Sequence, residues 1–84
     1  MDGGFVGNVV LVGGMQMNIN VTITHKRTQI TRNVKLNDVT MGDIAYFIIG
    51  KYRVNVNDYD VTELMHGLSV TRNAMGMMFQ LVVC

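Results

Sequence analysis

The sequence predicts an α+β fold: a mixed sheet that opens with a long N-terminal hairpin, is crossed by one main helix and a short second helix, and closes on a central C-terminal strand. Three observations carry this expectation. Met15, Met17, Ile19, Val21 and Ile23 alternate strictly with Gln16, Asn18, Asn20, Thr22 and Thr24. That is the period-2 pattern of a strand with one face buried and one face wet. Met41, Ile44, Ala45, Ile48, Ile49 and Tyr52 recur at i, i+3, i+4, i+7, i+8 and i+11, which is one face of an α-helix. Met77 to Val83 is apolar on both faces except at Gln80, as expected of a strand flanked on both sides.

In chain order, residues 1–14 read as an N-terminal extension and 15–84 as a single domain, because 84 residues leave no room for two cores. Val9-Val10-Leu11-Val12 is a short β-prone run, and Gly13-Gly14 after it is either a turn into the hairpin or a hinge. Four successive branched apolar residues are costly to leave in water, which favours an extra strand. If that strand finds no partner within the chain, it is a candidate for strand addition between chains. His25-Lys26-Arg27-Thr28-Gln29 forms the polar reversal of the hairpin, and Ile30, Val34 and Leu36 restore the alternation beyond it. Thr40 is the expected N-cap of the main helix, with Asp43 at the capping-box position. Gly50 and Lys51 suit its C-terminal end. Tyr52 to Asn57 alternates again and predicts a short strand. Asp60 caps the second helix, with Glu63 at the box position, Val61, Leu64, Met65 and Leu68 at helical spacing and Gly67 limiting its length. Asn73 marks the last turn before the closing strand.

Composition narrows the function classes. Charged residues make up 15% of the chain, against about 25% in typical domains. The net charge of +1 gives no chain-wide basic excess for nucleic acid or a membrane surface. Cys84 is the sole cysteine, so no disulfide forms within the chain and a reducing, cytoplasmic setting is expected. No run approaches the ~18 apolar residues of a membrane helix. Asp2, with no early Lys or Arg, argues against a secretory signal. Asn20-Val21-Thr22 fits a glycosylation acceptor but lies inside the best strand and is read as chance. His25 and His66 lack other ligands at zinc spacing. Cys84 has no activating base near it in sequence. Asp58, Asp60 and Glu63 are explained by capping and turn formation, and the glycines do not form a phosphate loop. His25, Lys26, Arg27 and Arg32 make a small basic patch at the hairpin end, read as a solubilising loop. No catalytic residue, cofactor, metal or small-molecule substrate is therefore expected, and the chain is read as a non-enzyme.

The remaining candidates are protein-binding residues. Met78 and Val82, with Gln80 between them, point away from the Met77 face of the closing strand, onto the face the helix does not cover. Soft, adaptable methionine in Asn/Thr surroundings suits a partner. Phe5, Val9 and Leu11 are the apolar residues of the possible donated strand. The expected partner is a protein or a second copy of the chain.

The order of hairpin, amphipathic helix, short strand, short helix and central last strand resembles the β-grasp fold of ubiquitin and its relatives. The segments that carry the resemblance are MNINVTI at 17–23, VKLNDVT at 34–40 and VTELMHGL at 61–68. It implies that the last strand lies beside the first, parallel to it, in the middle of a mixed sheet. Bacterial ubiquitin-like components of type VII secretion and of multicomponent monooxygenases are of similar length. Carriers and conjugated modifiers of this fold end in Gly-Gly, whereas this chain ends Val82-Val83-Cys84 and has Gly-Gly only at 3–4 and 13–14. Carrier chemistry is thus disfavoured. The expectation is a non-enzymatic interaction module, a small subunit or adaptor of a larger assembly. The alternative is a small phage or bacterial self-assembling or inhibitory protein that uses an N-terminal donated strand.

Overall fold

A computed structural model describes residues 16–84. The elements are β1 (Gln16–His25), β2 (Thr31–Thr40), β3 (Tyr46–Ile49), β4 (Tyr52–Asn55), α1 (Asp58–Met65), β5 (Val70–Ala74) and β6 (Met77–Val83). The fold is α+β, mostly sheet with one short helix. Four strands form a sheet in the order β2-β1-β6-β5, and β3 and β4 form a separate two-stranded ribbon. Residues 1–14, and with them the expected extension and Phe5, Val9 and Leu11, lie outside the described residues.

The β1–β2 hairpin forms where the alternation predicts it. Its loop closes with the Ile30 carbonyl accepting from the His25 N–H at 2.9 Å and the His25 carbonyl accepting from the Gln29 N–H at 2.7 Å. Near the other end the register shifts between Met17 and Ile19, so that Asn37 and Asp38 together face Asn18. This is a β-bulge. Asp38 takes a positive φ of 55°, and its N–H donates to the Asn18 Oδ1 at 3.0 Å. The bulge, together with Arg32 and Lys35, blunts a long edge strand.

β6 lies inside the sheet, as its two-sided apolar pattern predicts. It pairs with β1 from Ile19↔Val83 to His25↔Met77 and with β5 from Val70↔Leu81 to Ala74↔Met77. All of these pairings are antiparallel, so the sheet is not mixed. A β-grasp places its last strand parallel to its first, and that topology is not confirmed. The turn before β6 is Met75-Gly76, with φ of 51° and 75°. Two central residues at positive φ mark the mirror-image turn that matches strand twist. Asn73 instead sits within β5.

The main helix expected from Met41 to Tyr52 is absent. Thr40 ends β2 rather than capping a helix, and Gly42 adopts φ 97°, which breaks helical geometry at the second residue. Tyr46-Phe47-Ile48-Ile49 is an aromatic and β-branched run, which fits a pleated surface better than a helix. Phe47 pairs with Val54 and Ile49 with Tyr52, and all four are buried. Tyr46, Ile48, Arg53 and Asn55 face outward. The helical stripe and this strand alternation share Ile49 and Tyr52, so the two periods overlap over a short window. Gly50 decides between them. At φ 62° it occupies the first central position of a two-residue turn, where glycine is favoured. Gly50→Ala is expected to destabilise the protein by about 1 kcal/mol through the left-handed backbone, because a Cβ there meets nothing within 4 Å. In a helix the same change would stabilise by a similar amount. A urea midpoint measurement gives the sign.

α1 is the short second helix. Its N-cap is Asn57 rather than Asp60, and Asp60 fills the third helical position of a full capping box. The Asn57 Oδ1 accepts from the Asp60 N–H at 2.8 Å, and the Asp60 Oδ2 accepts from the Asn57 N–H at 3.0 Å. Val61 and Leu64 point inward while Met65 and Leu68 stay exposed.

One core joins these parts. Ile19, Val21 and Ile23 of β1 and Phe79 and Leu81 of β6 supply one face of the sheet. Phe47, Ile49, Tyr52 and Val54 of the ribbon, Val61 and Leu64 of α1, and Met41 pack in the same cluster. The Tyr52 and Phe79 rings meet edge to face, with centroids 5.6 Å apart. Each such side chain contributes roughly 1.5–3 kcal/mol on burial.

Candidate functional site

Cross-strand pairing sets what each side of the sheet offers. Met78, Gln80 and Val82 lie opposite Thr24, Thr22 and Asn20, on the face turned away from the core. That is the open face expected for them. Gln80 is exposed, whereas Met78 and Val82 are only half exposed. The Thr22 hydroxyl donates to the Asn33 Oδ1 at 3.0 Å on this face. The face is thus a polar lattice with two partly shielded apolar side chains, not an open apolar patch.

The large apolar side chains that do stand in water lie elsewhere. Ile30 is 68% exposed at the end of the hairpin, Tyr59 70% on α1 and Ile48 56% on the ribbon. The helical spacing of Met41 to Tyr52 assigns Ile48 to the core, and the alternation gives Ile30 no role beyond resuming the strand. The available signal was a bulky apolar residue directly after a five-residue polar loop, where the sheet has outrun its cover.

At that end Ile23, His25, Thr28, Ile30, Arg32 and Met77 line a half-open cavity of about 300 Å³. Ile23, His25 and Met77 come from the core side of β1 and β6, since Ile23 pairs with Phe79 and His25 with Met77. Arg32 faces Ile23 across the hairpin. The loop above it is held by its own hydrogen bonds. The Thr28 N–H donates to the His25 Nδ1 at 3.4 Å, the Ile30 N–H to the Thr28 Oγ1 at 3.3 Å, and the Gln29 Nε2 to the Lys26 carbonyl at 2.7 Å. The Lys26 N–H donates to the Gly76 carbonyl at 3.0 Å, tying this loop to the turn before β6. The cavity is therefore pre-shaped, which lowers the entropy cost of filling it. Its volume is at the bottom of the range for small-molecule sites.

The charges around it are of one sign. Residues 16–37 contain Lys26, Arg27, Arg32 and Lys35 and no Asp or Glu. The four-residue basic patch read as a solubilising loop thus coincides with an apolar cavity, which sequence alone does not show.

A second cleft, of about 290 Å³, runs between Arg53-Val54-Asn55 and Arg72-Asn73-Ala74. Both guanidinium groups there are engaged. Arg53 stacks 4.2 Å from the Tyr46 ring centroid and its Nε donates to the Asn55 Oδ1 at 3.3 Å. Arg72 donates to the Thr71 carbonyl at 2.9 Å and forms an ion pair with Asp60. Asp60 is the buried charged residue of the described chain, and its partners are the capping backbone and Arg72. It is a structural carboxylate with its acceptors used.

The remaining titratable candidates are apart from one another. Among the described residues no three His, Cys, Asp or Glu side chains gather at metal-binding distance. Cys84 is exposed, and His66 closes α1 as its C-cap. On α1 the Glu63 carboxylate, through hydrogen bonding and then through its charge, holds the Tyr59 phenol above its usual pKa of 10.0, with smaller upward contributions from burial and from Asp60. No helix of the described residues is long and apolar enough to cross a membrane. Comparison with models of protein families, with curated proteins and with solved structures finds no match for this chain.

Proposed function

We propose that this chain is a non-enzymatic protein-interaction module, a small subunit or adaptor of a larger assembly, and that it binds through the end of the β1–β2 hairpin. The observation that carries this reading is the pre-shaped apolar cavity under exposed Ile30. An apolar side chain left in water beside a half-open cavity is the usual anatomy of a binding patch, with apolar centre and polar rim. His25, Arg32, Lys26 and Arg27 supply that rim. A role of this kind needs no ubiquitin-like ancestry.

Position-specific crosslinking in native extract tests it. A photo-reactive residue at position 30 is expected to capture a discrete protein, and one at position 80 on the outer sheet face to capture far less. Capture at 80 but not at 30 would move the binding face to the Met78–Val82 side. A free monomer from both positions would defeat the module reading itself.

A further inference from the structure

The chain also carries a group that suits the cavity. α1 presents Tyr59, 70% exposed, with Asp58 beside it, also exposed, and Glu63 one turn on, half exposed. Of the acidic residues at 57–68, Asp60 is buried and paired with Arg72, so the charge α1 offers outward is that of Asp58 and Glu63, with no Lys or Arg in the same stretch. The hairpin end has the opposite character, with an apolar cavity and cations without acids. Charge of one sign around an aromatic side chain and charge of the other sign around an apolar cavity are complementary. A tyrosine ring is a large, rigid anchor that costs little conformational entropy on insertion.

We infer that the hairpin cavity of one copy receives the Tyr59 side chain of a second copy, with Asp58 and Glu63 of α1 meeting Arg32 and the Lys26-Arg27 loop. This rests on the interaction-module reading and names its partner as the chain itself. The contact joins two different patches, so a single insertion leaves the pair asymmetric. A docked pair still offers one free cavity and one free Tyr59, which either engage each other about a two-fold axis or take further copies. With further copies the assembly closes into a ring or grows as an open chain. Exposed charges are screened within about 10 Å at 0.1 M salt, so assembly weakens as salt rises.

The test is the mass of the purified full chain, by sedimentation velocity, across protein concentration at low and at high ionic strength. The wild type is expected to grow in average mass with concentration and to shrink with salt. Ile30→Glu removes the receiving side and Tyr59→Ser the inserted side. Both positions are largely exposed, so the variants fold, as circular dichroism would verify. Each variant alone is expected to lose about thirtyfold or more in self-affinity, the effect of removing an interface anchor. Mixed together they are expected to stop at a dimer, since only one productive contact remains. Arg32→Glu is expected to weaken assembly, and pairing it with Glu63→Arg to restore part of it.

A wild type that stays monomeric at every concentration overturns the inference. In that case a synthetic acidic peptide with a central tyrosine separates the two levels. Binding that Arg32→Glu abolishes keeps the module and replaces the partner. No binding, with no crosslink at position 30, removes both. Self-association that survives both Ile30→Glu and Tyr59→Ser, or that disappears on deleting residues 1–14, also overturns the inference, the latter in favour of a donated N-terminal strand.

Discussion

Phe79→Ala is expected to destabilise the protein by about 3–5 kcal/mol, the largest loss of any single truncation in the core. The ring is fully buried at the centre of β6, between Ile23 on one neighbour and Arg72 on the other. It packs edge-on against Tyr52 of the ribbon, so it couples the sheet to its cover. Truncating a buried phenylalanine costs about 3–5 kcal/mol, through lost transfer energy and the cavity left behind. A domain of this length is stable by roughly 4–13 kcal/mol in total. The truncation thus removes from about a quarter of the margin to all of it. Phe79→Leu refills much of the space and is expected to cost less than half as much. The conservative change Met65→Leu, at an exposed position of α1, is expected to stay within about 0.5 kcal/mol. Urea unfolding of the three variants provides the comparison. A loss below about 1 kcal/mol for Phe79→Ala would mean that β6 does not run through the centre of the core.

Arg72→Ala is expected to produce the next largest loss, about 2–3 kcal/mol. Removing one member of a buried ion pair costs about 3–5 kcal/mol, because the other charge is left without compensation. Arg72 is 36% exposed while Asp60 is 5% exposed, so water can reach part of the site and the cost falls below that range. Asp60→Ala acts at two places at once. It removes the arginine's partner and one arm of the capping box, the latter worth about 0.5–2 kcal/mol. The two single changes share one network, so the double variant is expected to lose clearly less than their sum, with a coupling of about 1–2 kcal/mol. Thermal unfolding of the four proteins measures it. Strict additivity would show that the pair is too solvated to matter.

The strands that fold by alternation were legible in the sequence. Met17 to Ile23 and Met77 to Val83 have periods that only one structure satisfies, and the central place of β6 followed from its two apolar faces. The region from Met41 to Tyr52 was not legible by period alone. Its apolar residues fit i, i+3, i+4 spacing because Ile49 and Tyr52 face inward in both registers and Ile48, exposed in the strand, completes the helical stripe. Backbone decides the matter there, through the positive φ of Gly42 and Gly50, and the Tyr46–Ile49 run of aromatic and branched residues was the signal that pointed the right way. The direction of β6 was out of reach for a different reason. Parallel and antiparallel neighbours bury the same side chains, and the choice depends on how the chain returns between them. Of the candidate binding residues, Met78, Gln80 and Val82 fall together on the outer face. The cavity at the hairpin end depends on how far the cover extends, which no local pattern encodes.

Three of the four antiparallel pairings join neighbours in sequence across short turns: β1 with β2, β3 with β4, and β5 with β6. The fourth joins Ile19 to Val83 across nearly the whole described length. Local ribbons of this kind zip within microseconds, whereas closing the long loop sets the slow step. During synthesis the inner border of the first ribbon stays open until residues 77–83 have been made. For that interval a nascent chain displays Ile19, Val21 and Ile23 together with unpaired backbone, a template for wrong pairing.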